Sequence, residues 1–152
     1  MQHRPPPATR AGFFVSQSIA TRWADNDVYG HVNNAAYYGF VDTAVNRFLI
    51  ARAGLDFHAG PTIALVVETG LRYHAPLAYP QEIEVALAVE RLGRTSVTWR
   101  VGLFAAPAGE EEPCAAEGHF VHVCVDRESR RPVPWPAPMR AALEAAAEAR
   151  GR

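Results

Sequence analysis

The sequence predicts an α+β domain in which an antiparallel β-sheet wraps around one long central helix. Two observations carry this prediction. Apolar residues recur every three or four positions in a long segment near the start, whereas four later segments alternate with period two. Short turns join those four segments, which favours antiparallel pairing. The helical segment is apolar over more than half of its circumference, so we expect the sheet to cover it. With 152 residues, the chain is long enough for one such domain.

The first part of the chain reads as a strand, a loop and this helix. Residues 13–23 are rich in aromatic and β-branched side chains in rough alternation, which predicts a strand. Asp, Asn and Gly in residues 24–31 indicate an irregular loop. Asn33 and Asn34 are favoured N-cap residues before the helix, and Gly54 is its expected stop. The apolar positions of the helix are Tyr37, Phe40, Val41, Ala44, Val45, Phe48 and Leu49.

The remaining strands follow one another directly. One is expected from after Pro61 to about Tyr73. The clearest alternation lies in residues 81–93, where the apolar members are expected to face the core: Ile83, Val85, Leu87 and Val89. A short turn at Gly93 leads to a returning strand over residues 95–104, and a polar loop leads to the last strand over residues 115–125.

Composition sets the domain limits and excludes several functions. Residues 1–10 are expected to be a disordered lead-in, residues 11–130 the domain, and residues 131–152 a Pro-rich tail with a short helix in a packing role. A net charge of -1 argues against binding nucleic acid or a membrane by overall charge. All 15 basic residues are Arg, which excludes lysine-dependent mechanisms.

The cellular setting is inferred from the cysteines and from the N-terminus. Cys114 and Cys124 form no CxxC pair, so a disulfide framework or a four-ligand zinc site is not expected. The chain shows neither the apolar run of a signal peptide nor a stretch long enough to span a bilayer. We therefore expect a cytoplasmic protein.

Residues 22–37, RWADNDVYGHVNNAAY, are the segment most suited to chemistry. They join a strand to the start of a buried helix, where the first amides lack intrahelical acceptors and carry partial positive charge. Such amides can polarise a carbonyl, and a neighbouring carboxylate can then act as nucleophile or general base. This arrangement favours hydrolysis of an acyl group without a serine triad.

At these residues the chain resembles the 4-hydroxybenzoyl-CoA thioesterase branch of the hot-dog-fold thioesterases. Its pattern, W-x-D-x-D-x-x-G-H-V-N-N-x-x-Y, is filled without a gap by Trp23, Asp25, Asp27, Gly30, His31, Val32, Asn33, Asn34 and Tyr37. The likeness covers about residues 13–126. It implies a hot-dog fold and hydrolysis of an acyl-CoA thioester, with coenzyme A as part of the substrate and no separate cofactor.

The resemblance also implies roles for individual residues. The catalytic carboxylate of the family falls on Asp27, and its oxyanion donor, a backbone amide in the first helical turn, falls in the vicinity of Asn33 and Asn34. Related plant acyl-carrier-protein thioesterases use a His of this loop as a helper, which corresponds to His31, although a structural role for His31 fits equally well. Asp25 is expected to be structural, because Asp commonly bonds the backbone of turns.

A second candidate site is the turn over residues 91–96. Arg91, Arg94 and Ser96 surround a flexible Gly93 and could clamp the phosphates of coenzyme A. The resemblance points to the same turn for the nucleotide end of coenzyme A.

Other polar residues carry weaker expectations. Glu68 lies on a strand face of small and apolar residues, so it is expected to accept hydrogen bonds at the helix loop or at a subunit boundary. His119 and His122 point to opposite faces of one strand and are expected to be packing or surface residues. No metal site is expected at Asp25, Asp27 and His31, which lack supporting ligands.

The sequence is interpreted as an acyl-CoA thioesterase, with two alternatives. One is a hot-dog hydratase or dehydratase of enoyl or 3-hydroxyacyl thioesters, although the D-x-N-P-x-H string is absent. The other is a non-catalytic acyl-CoA binding domain. A lone sheet exposes an edge, so a homodimer or homotetramer with sites at the subunit boundary is expected. No nucleic acid or membrane partner is expected.

Overall fold

A five-stranded antiparallel sheet curves around a long helix in the computed structural model, which describes residues 4–149. The strands are β1 (Val15–Ala20), β2 (Thr62–Tyr73), β3 (Glu82–Leu92), β4 (Ser96–Ala105) and β5 (Ala116–Asp126), in the sheet order β1-β3-β4-β5-β2. The helices are α1 (Ala36–Ala53) and α2 (Ala137–Glu148). The predicted fold class and element order are confirmed.

Helix α1 lies on the inner face of the sheet because its apolar positions match the inward positions of the strands. All seven predicted apolar positions of α1 are buried. The four alternate positions predicted to face the core from β3 are buried as well. The helix ends at Gly54, which takes the left-handed conformation with φ 70° and donates its amide to the carbonyl of Leu49.

The N-terminal segment packs on the outer face of the sheet. Thr9 pairs with Pro113, and the carbonyl of Ala8 accepts the amide of Cys114 at 2.8 Å. Arg10 forms an ion pair with Glu84, and Phe13 packs against the outer residues of β3 and β4. The expected disordered lead-in is therefore wrong for residues 8–10, and residues 1–3 lie outside the described part of the chain. The first strand is also shorter than predicted, because 3-10 turns flank it.

The C-terminal segment belongs to the same core as α1. Trp135 is buried, and α2 buries Met139, Leu143 and Ala146 among residues of the main cluster. The packing role predicted for this helix is confirmed, and no structural boundary separates it from the sheet. The last three residues of the predicted tail, 150–152, lie outside the described residues.

Strand β2 forms one edge of the sheet and exposes apolar side chains. Leu65, Val66 and Val67 are 37%, 43% and 61% exposed. The pairing of β2 with β5 shifts register between Val66 and Glu68, so a bulge lies at the centre of this edge. Neither described helix combines the length and apolar character that crossing a bilayer requires.

Candidate active site

The loop between β1 and α1 begins with a buried carboxylate that fixes its path. Asp25 is 4% exposed, and its carboxylate accepts the amide of Arg22 at 2.7 Å and the guanidinium Nη2 of Arg22 at 2.9 Å. The hydrogen bond from Arg22 lowers the pKa of Asp25, so this group is a carboxylate at neutral pH. The Asp25 carbonyl accepts the Asn33 amide at 2.8 Å. Asp25 therefore closes the base of the loop, which agrees with its expected structural role.

Asp27 lies at the turn of the loop and is half-buried. Its amide donates to the carbonyl of His31 at 2.9 Å, and its carbonyl accepts the amide of Gly30 at 3.1 Å. Gly30 has φ 83°, a conformation that Gly adopts without strain. The Oδ1 atom of Asp27 accepts the amide of Tyr29 at 2.9 Å. The second carboxylate oxygen of Asp27 has no protein hydrogen bond among residues 4–149.

The start of α1 follows the loop, and the helix begins after Ala35 without a capping side chain, while Asn33 forms the turn that leads into it. The Asn33 side-chain oxygen accepts the amide of Ala35 at 2.9 Å, and its carbonyl accepts the amide of Ala36 at 2.9 Å. The prediction of Asn33 and Asn34 as capping side chains is therefore wrong. The Asn33 amide is engaged with Asp25, which leaves the amide of Asn34 without an acceptor in the described part of the chain.

The end of β2 closes this region from the other side. The phenol of Tyr73 donates to the carbonyl of Asn34 at 2.7 Å, and its ring packs edge-on against Tyr37 with centroids 5.1 Å apart. Burial raises the pKa of Tyr73 to about 12, with a further contribution from Tyr38, so the phenol keeps its proton at neutral pH. His74 follows directly on the chain.

Two adjoining clefts meet at this loop. The larger, of about 880 Å³, is lined by Asp27, Asn33 and Asn34 together with the exposed side chains of Trp23, Val28 and Tyr29. The smaller, of about 470 Å³, is lined by Asp27, Asn34 and His31 on the loop side, and on the other side by Tyr37, Tyr73 and His74. The loop residues predicted for catalysis, Asp27, His31, Asn33 and Asn34, thus lie together around these clefts.

The predicted coenzyme A turn lies far from this loop within one subunit. The hydroxyl of Thr21, just before the loop, donates a hydrogen bond to the carbonyl of Gln81, which lies at the start of β3. The turn residues lie at or just beyond the far end of β3: Arg91, Arg94 and Ser96. Strand β3 has 11 residues, and at about 3.3 Å per residue it separates the two ends by roughly 33 Å. Arg91 and Arg94 are exposed on the turn, and Ser96 is half-buried.

The expectations for the other polar residues have mixed outcomes. Glu68 is exposed on β2 and lies 3.0 Å from the Nε2 atom of His119 on the neighbouring strand, so it contacts neither the helix loop nor the start of α1. His119 is partly exposed and His122 is fully buried, which confirms that they point to opposite faces. Burial lowers the pKa of His122 to about 4, so its imidazole is neutral.

Sequence reasoning missed Tyr73 and His74 as neighbours of the loop. The predicted strand ends at about Tyr73, so the sequence places both residues at a strand end. Only the packing of the end of β2 beside the start of α1 brings them close to Asn34. A Tyr-His pair at a strand end has no spacing that indicates a site.

The likeness to known proteins extends over most of the chain. Residues 21–143 match the thioesterase-like superfamily. The structure of the PA5185 protein from Pseudomonas aeruginosa is similar with a TM-score of 0.89 and 49% identity, over 94% of this chain and 97% of that chain. A hypothetical protein from Thermus thermophilus has a TM-score of 0.74 and 27% identity, over 86% of this chain and 98% of that chain.

A further solved structure is similar in fold alone. The 1,4-dihydroxy-2-naphthoyl-CoA thioesterase from Synechocystis has a TM-score of 0.73 and 18% identity, over 84% of this chain and 93% of that chain. No curated protein matches the chain significantly. The match over residues 21–143 and the arrangement of sheet and helix together show that this chain belongs to the thioesterase-like superfamily and has the hot-dog fold.

Proposed function

We propose that this protein is an acyl-CoA thioesterase that hydrolyses an acyl- or aryl-CoA thioester to a free acid and coenzyme A. One observation supports this above all: Asp27 and Asn34 line the same cleft just before α1, and the amide of Asn34 has no acceptor among residues 4–149. A thioester carbonyl in that cleft would meet a carboxylate on one side and a hydrogen-bond donor on the other. The thioesterase named for 1,4-dihydroxy-2-naphthoyl-CoA has the same fold, which supports an aromatic acyl group as one candidate.

Asp27 supplies the base or the nucleophile of the reaction. Its Oδ1 is held by the Tyr29 amide, and its other oxygen, which has no protein hydrogen bond among residues 4–149, is available to a substrate in the cleft that Asp27 lines. That oxygen attacks the thioester carbonyl, or it removes a proton from a water that attacks. In both cases the carbon–sulfur bond breaks and coenzyme A leaves as a thiolate that takes up a proton. In the nucleophilic route the acyl group is then held on Asp27 as a mixed anhydride, and water cleaves this anhydride to release the free acid and restore the carboxylate.

The amide of Asn34 stabilises the oxygen of the tetrahedral intermediate. It lies at the positive end of α1, where the helix dipole adds to the hydrogen bond. Asn33 holds this turn through its side-chain bond to Ala35, and Tyr73 holds the next peptide through the Asn34 carbonyl. His31 lines the smaller cleft with an exposed side chain, where it helps to orient the acyl group.

A second subunit completes the substrate site. The coenzyme A turn is roughly 33 Å from the Asp27 loop within one chain, by the length of the 11 residues of β3. Ser96 pairs with Val123 on β5, and Val123 in turn pairs with Leu65 near the beginning of β2. Asn34 contacts Tyr73 at the opposite end of β2. If two β2 edges pair antiparallel about a twofold axis, the partner's turn reaches the end of the sheet that holds Asp27.

The edge itself favours such a dimer. An exposed edge strand with three consecutive apolar side chains is a template for pairing with another chain. Pairing would cover Leu65, Val66 and Val67 and join the two sheets. The dimer, or a tetramer built from it, then carries two sites at the subunit boundary.

The test is release of free thiol from a panel of acyl- and aryl-CoA thioesters. Asp27→Asn should lower kcat/KM for the best substrate by about 10²- to 10⁴-fold, as expected for removal of an acid–base group or a nucleophile. The matched control is Asp42→Asn, which changes an exposed carboxylate on α1 and should leave turnover unchanged.

Three outcomes would contradict the proposal. Full activity of the Asp27→Asn protein would exclude the carboxylate mechanism. Hydration of an enoyl-CoA without thiol release would assign the chain to the hydratases. Binding of acyl-CoA without turnover by the unaltered protein would make it a binding domain.

A further inference from the structure

Three potential metal ligands meet beside the smaller cleft. The side chains of His74, Cys114 and Glu117 each bring one donor atom into a group whose atoms all lie within 4.8 Å of one another. The Nε2 atom of His74 lies 3.0 Å from Oε1 of Glu117. The group is outside the proposed chemistry, because none of its members takes part in the steps assigned to Asp27 and Asn34.

Separate backbone contacts hold each of the three residues in place. The amide of His74 donates to the carbonyl of Ala115 at 2.7 Å. The amide of Cys114 donates to the carbonyl of Ala8 at 2.8 Å, and Oε2 of Glu117 accepts the Ala8 amide at 3.2 Å. The three donors are therefore presented by the end of β2, the segment before β5 and β5 itself, with the N-terminal segment bonded behind them.

The group is largely shielded from solvent and borders the smaller cleft through His74. The exposed fractions of the side chains are 9% for His74 and 16% for Glu117, and Cys114 is 2% exposed as a residue. His74 lines the smaller cleft, which is the side from which an ion would approach. The group differs from a surface carboxylate cluster because it combines a carboxylate, an imidazole and a thiol that are largely buried. All three are ligands that a divalent transition metal accepts.

From this arrangement we infer that His74, Cys114 and Glu117 form a site for a divalent transition metal, with Zn²⁺ as the fitting ion. Imidazole, thiolate and carboxylate are the usual ligands of Zn²⁺, with bonds of about 2.0 to 2.3 Å. A tetrahedral ion with such bonds spaces its ligand atoms by about 3.3 to 3.8 Å, so a shift of no more than about 1.5 Å closes the site.

The charges of this site balance. A thiolate and a carboxylate together neutralise Zn²⁺, and a water molecule takes the fourth position. Binding displaces the thiol proton of Cys114, which burial and the neighbouring Glu117 otherwise retain by raising the pKa of Cys114 to about 12. A bound ion would tie β2, the segment before β5 and the N-terminal segment together.

The experiment titrates untagged, EDTA-treated protein with Zn²⁺ alone against a chromophoric chelator, in a reducing buffer. One Zn²⁺ per chain is expected. His74→Gln and Cys114→Ser should each weaken binding at least tenfold. The matched control is Cys124→Ser, which changes the other buried cysteine and should bind as the unaltered chain does.

Two further measurements separate the site from surface histidines and from unfolding. Co²⁺ should give a thiolate-to-metal charge-transfer band in the unaltered and Cys124→Ser proteins and none in Cys114→Ser. Zn²⁺ should raise the Tm of the same two proteins and raise the Tm of His74→Gln and Cys114→Ser by clearly less. Equal affinity in Cys114→Ser and the unaltered chain, or no binding in the unaltered chain, would overturn the proposal.

Discussion

The phenol of Tyr73, the last residue of β2, donates a 2.7 Å hydrogen bond to the carbonyl of Asn34 just before α1 begins. This bond joins the edge strand to the turn that presents the proposed oxyanion donor. Tyr73→Phe removes the bond and keeps the ring contact with Tyr37, so we expect the turn to lose a restraint while the core stays packed. We predict a fall in kcat of about fivefold, with KM little changed, because one hydrogen bond contributes about 1 kcal/mol.

The control for this prediction is Tyr79→Phe. The ring of Tyr79 packs against Trp23, and its hydroxyl has no protein hydrogen bond among residues 4–149. The measurement is the steady-state kcat and KM of both variants with the best thioester of the panel. An equal effect of the two changes, or none at Tyr73, would show that the Tyr73 bond does not position Asn34.

The two aspartates of the loop should separate stability from catalysis. Asp25 is buried and accepts three hydrogen bonds from Arg22, so Asp25→Asn should lower the free energy of unfolding by about 1–3 kcal/mol. Asp27→Asn keeps an oxygen acceptor for the Tyr29 amide and should leave that free energy within about 0.5 kcal/mol. Urea unfolding measures both variants. The opposite ranking would mean that Asp27, and not Asp25, holds the loop.

The fold could be predicted from the sequence because apolar and polar residues alternate strongly in strands that bury one face. Ile83 and Val85 face α1 and lie in a period-two pattern, as expected. Ala86 and Ala88 on the opposite face are buried too, under Phe13 and the N-terminal segment. Small alanines give no periodic signal that such a cover exists, which is why residues 1–10 were expected to be disordered.

The site could be predicted only as far as it is contiguous in sequence. Asp27 and Asn34 lie on one loop, and their turn and cap residues are local signals. Which amide remains free could not be predicted, because it depends on the bond from the Asn33 amide to Asp25. The contacts of Tyr73 and His74 with the loop depend on the packing of the end of β2 beside the start of α1, which no local sequence pattern indicates.

The coenzyme A turn should affect substrate binding rather than turnover. Arg91→Ala and Arg94→Ala should each raise KM for a CoA thioester about three- to tenfold, because an exposed guanidinium–phosphate contact contributes about 1 kcal/mol. The same variants should leave KM unchanged for the matching N-acetylcysteamine thioester, which lacks the nucleotide. Arg52→Ala, an exposed arginine in the last turn of α1, is the control. Equal effects on the two substrates would exclude a nucleotide contact.

The exposed edge of β2 should determine the oligomeric state. Leu65→Lys with Val67→Lys places two charges at the centre of the apolar edge, which disfavours strand pairing. We expect the mass by analytical ultracentrifugation to fall to that of a single chain, and thioesterase activity to fall with it. Ser18→Lys places the same charge on the opposite edge strand, β1, beside Glu82, and should not change the mass. An unchanged mass for the double variant would place the interface elsewhere.

The buried imidazole of His122 should make the protein sensitive to acid. Its pKa is about 4 in the folded chain against 6.5 when exposed, because burial disfavours the charged form. Between these values the unfolded chain binds the extra proton, so stability is retained above pH 6.5 and falls as the pH drops towards 4, by about 3 kcal/mol in all. Its Nδ1 atom has no hydrogen-bond partner among residues 4–149, so His122→Leu should hold stability at pH 7 and reduce the loss between pH 6.5 and pH 4.5. Urea unfolding at both pH values, with exposed His58→Leu as control, measures the difference, and parallel losses in all three proteins would show that His122 does not carry it.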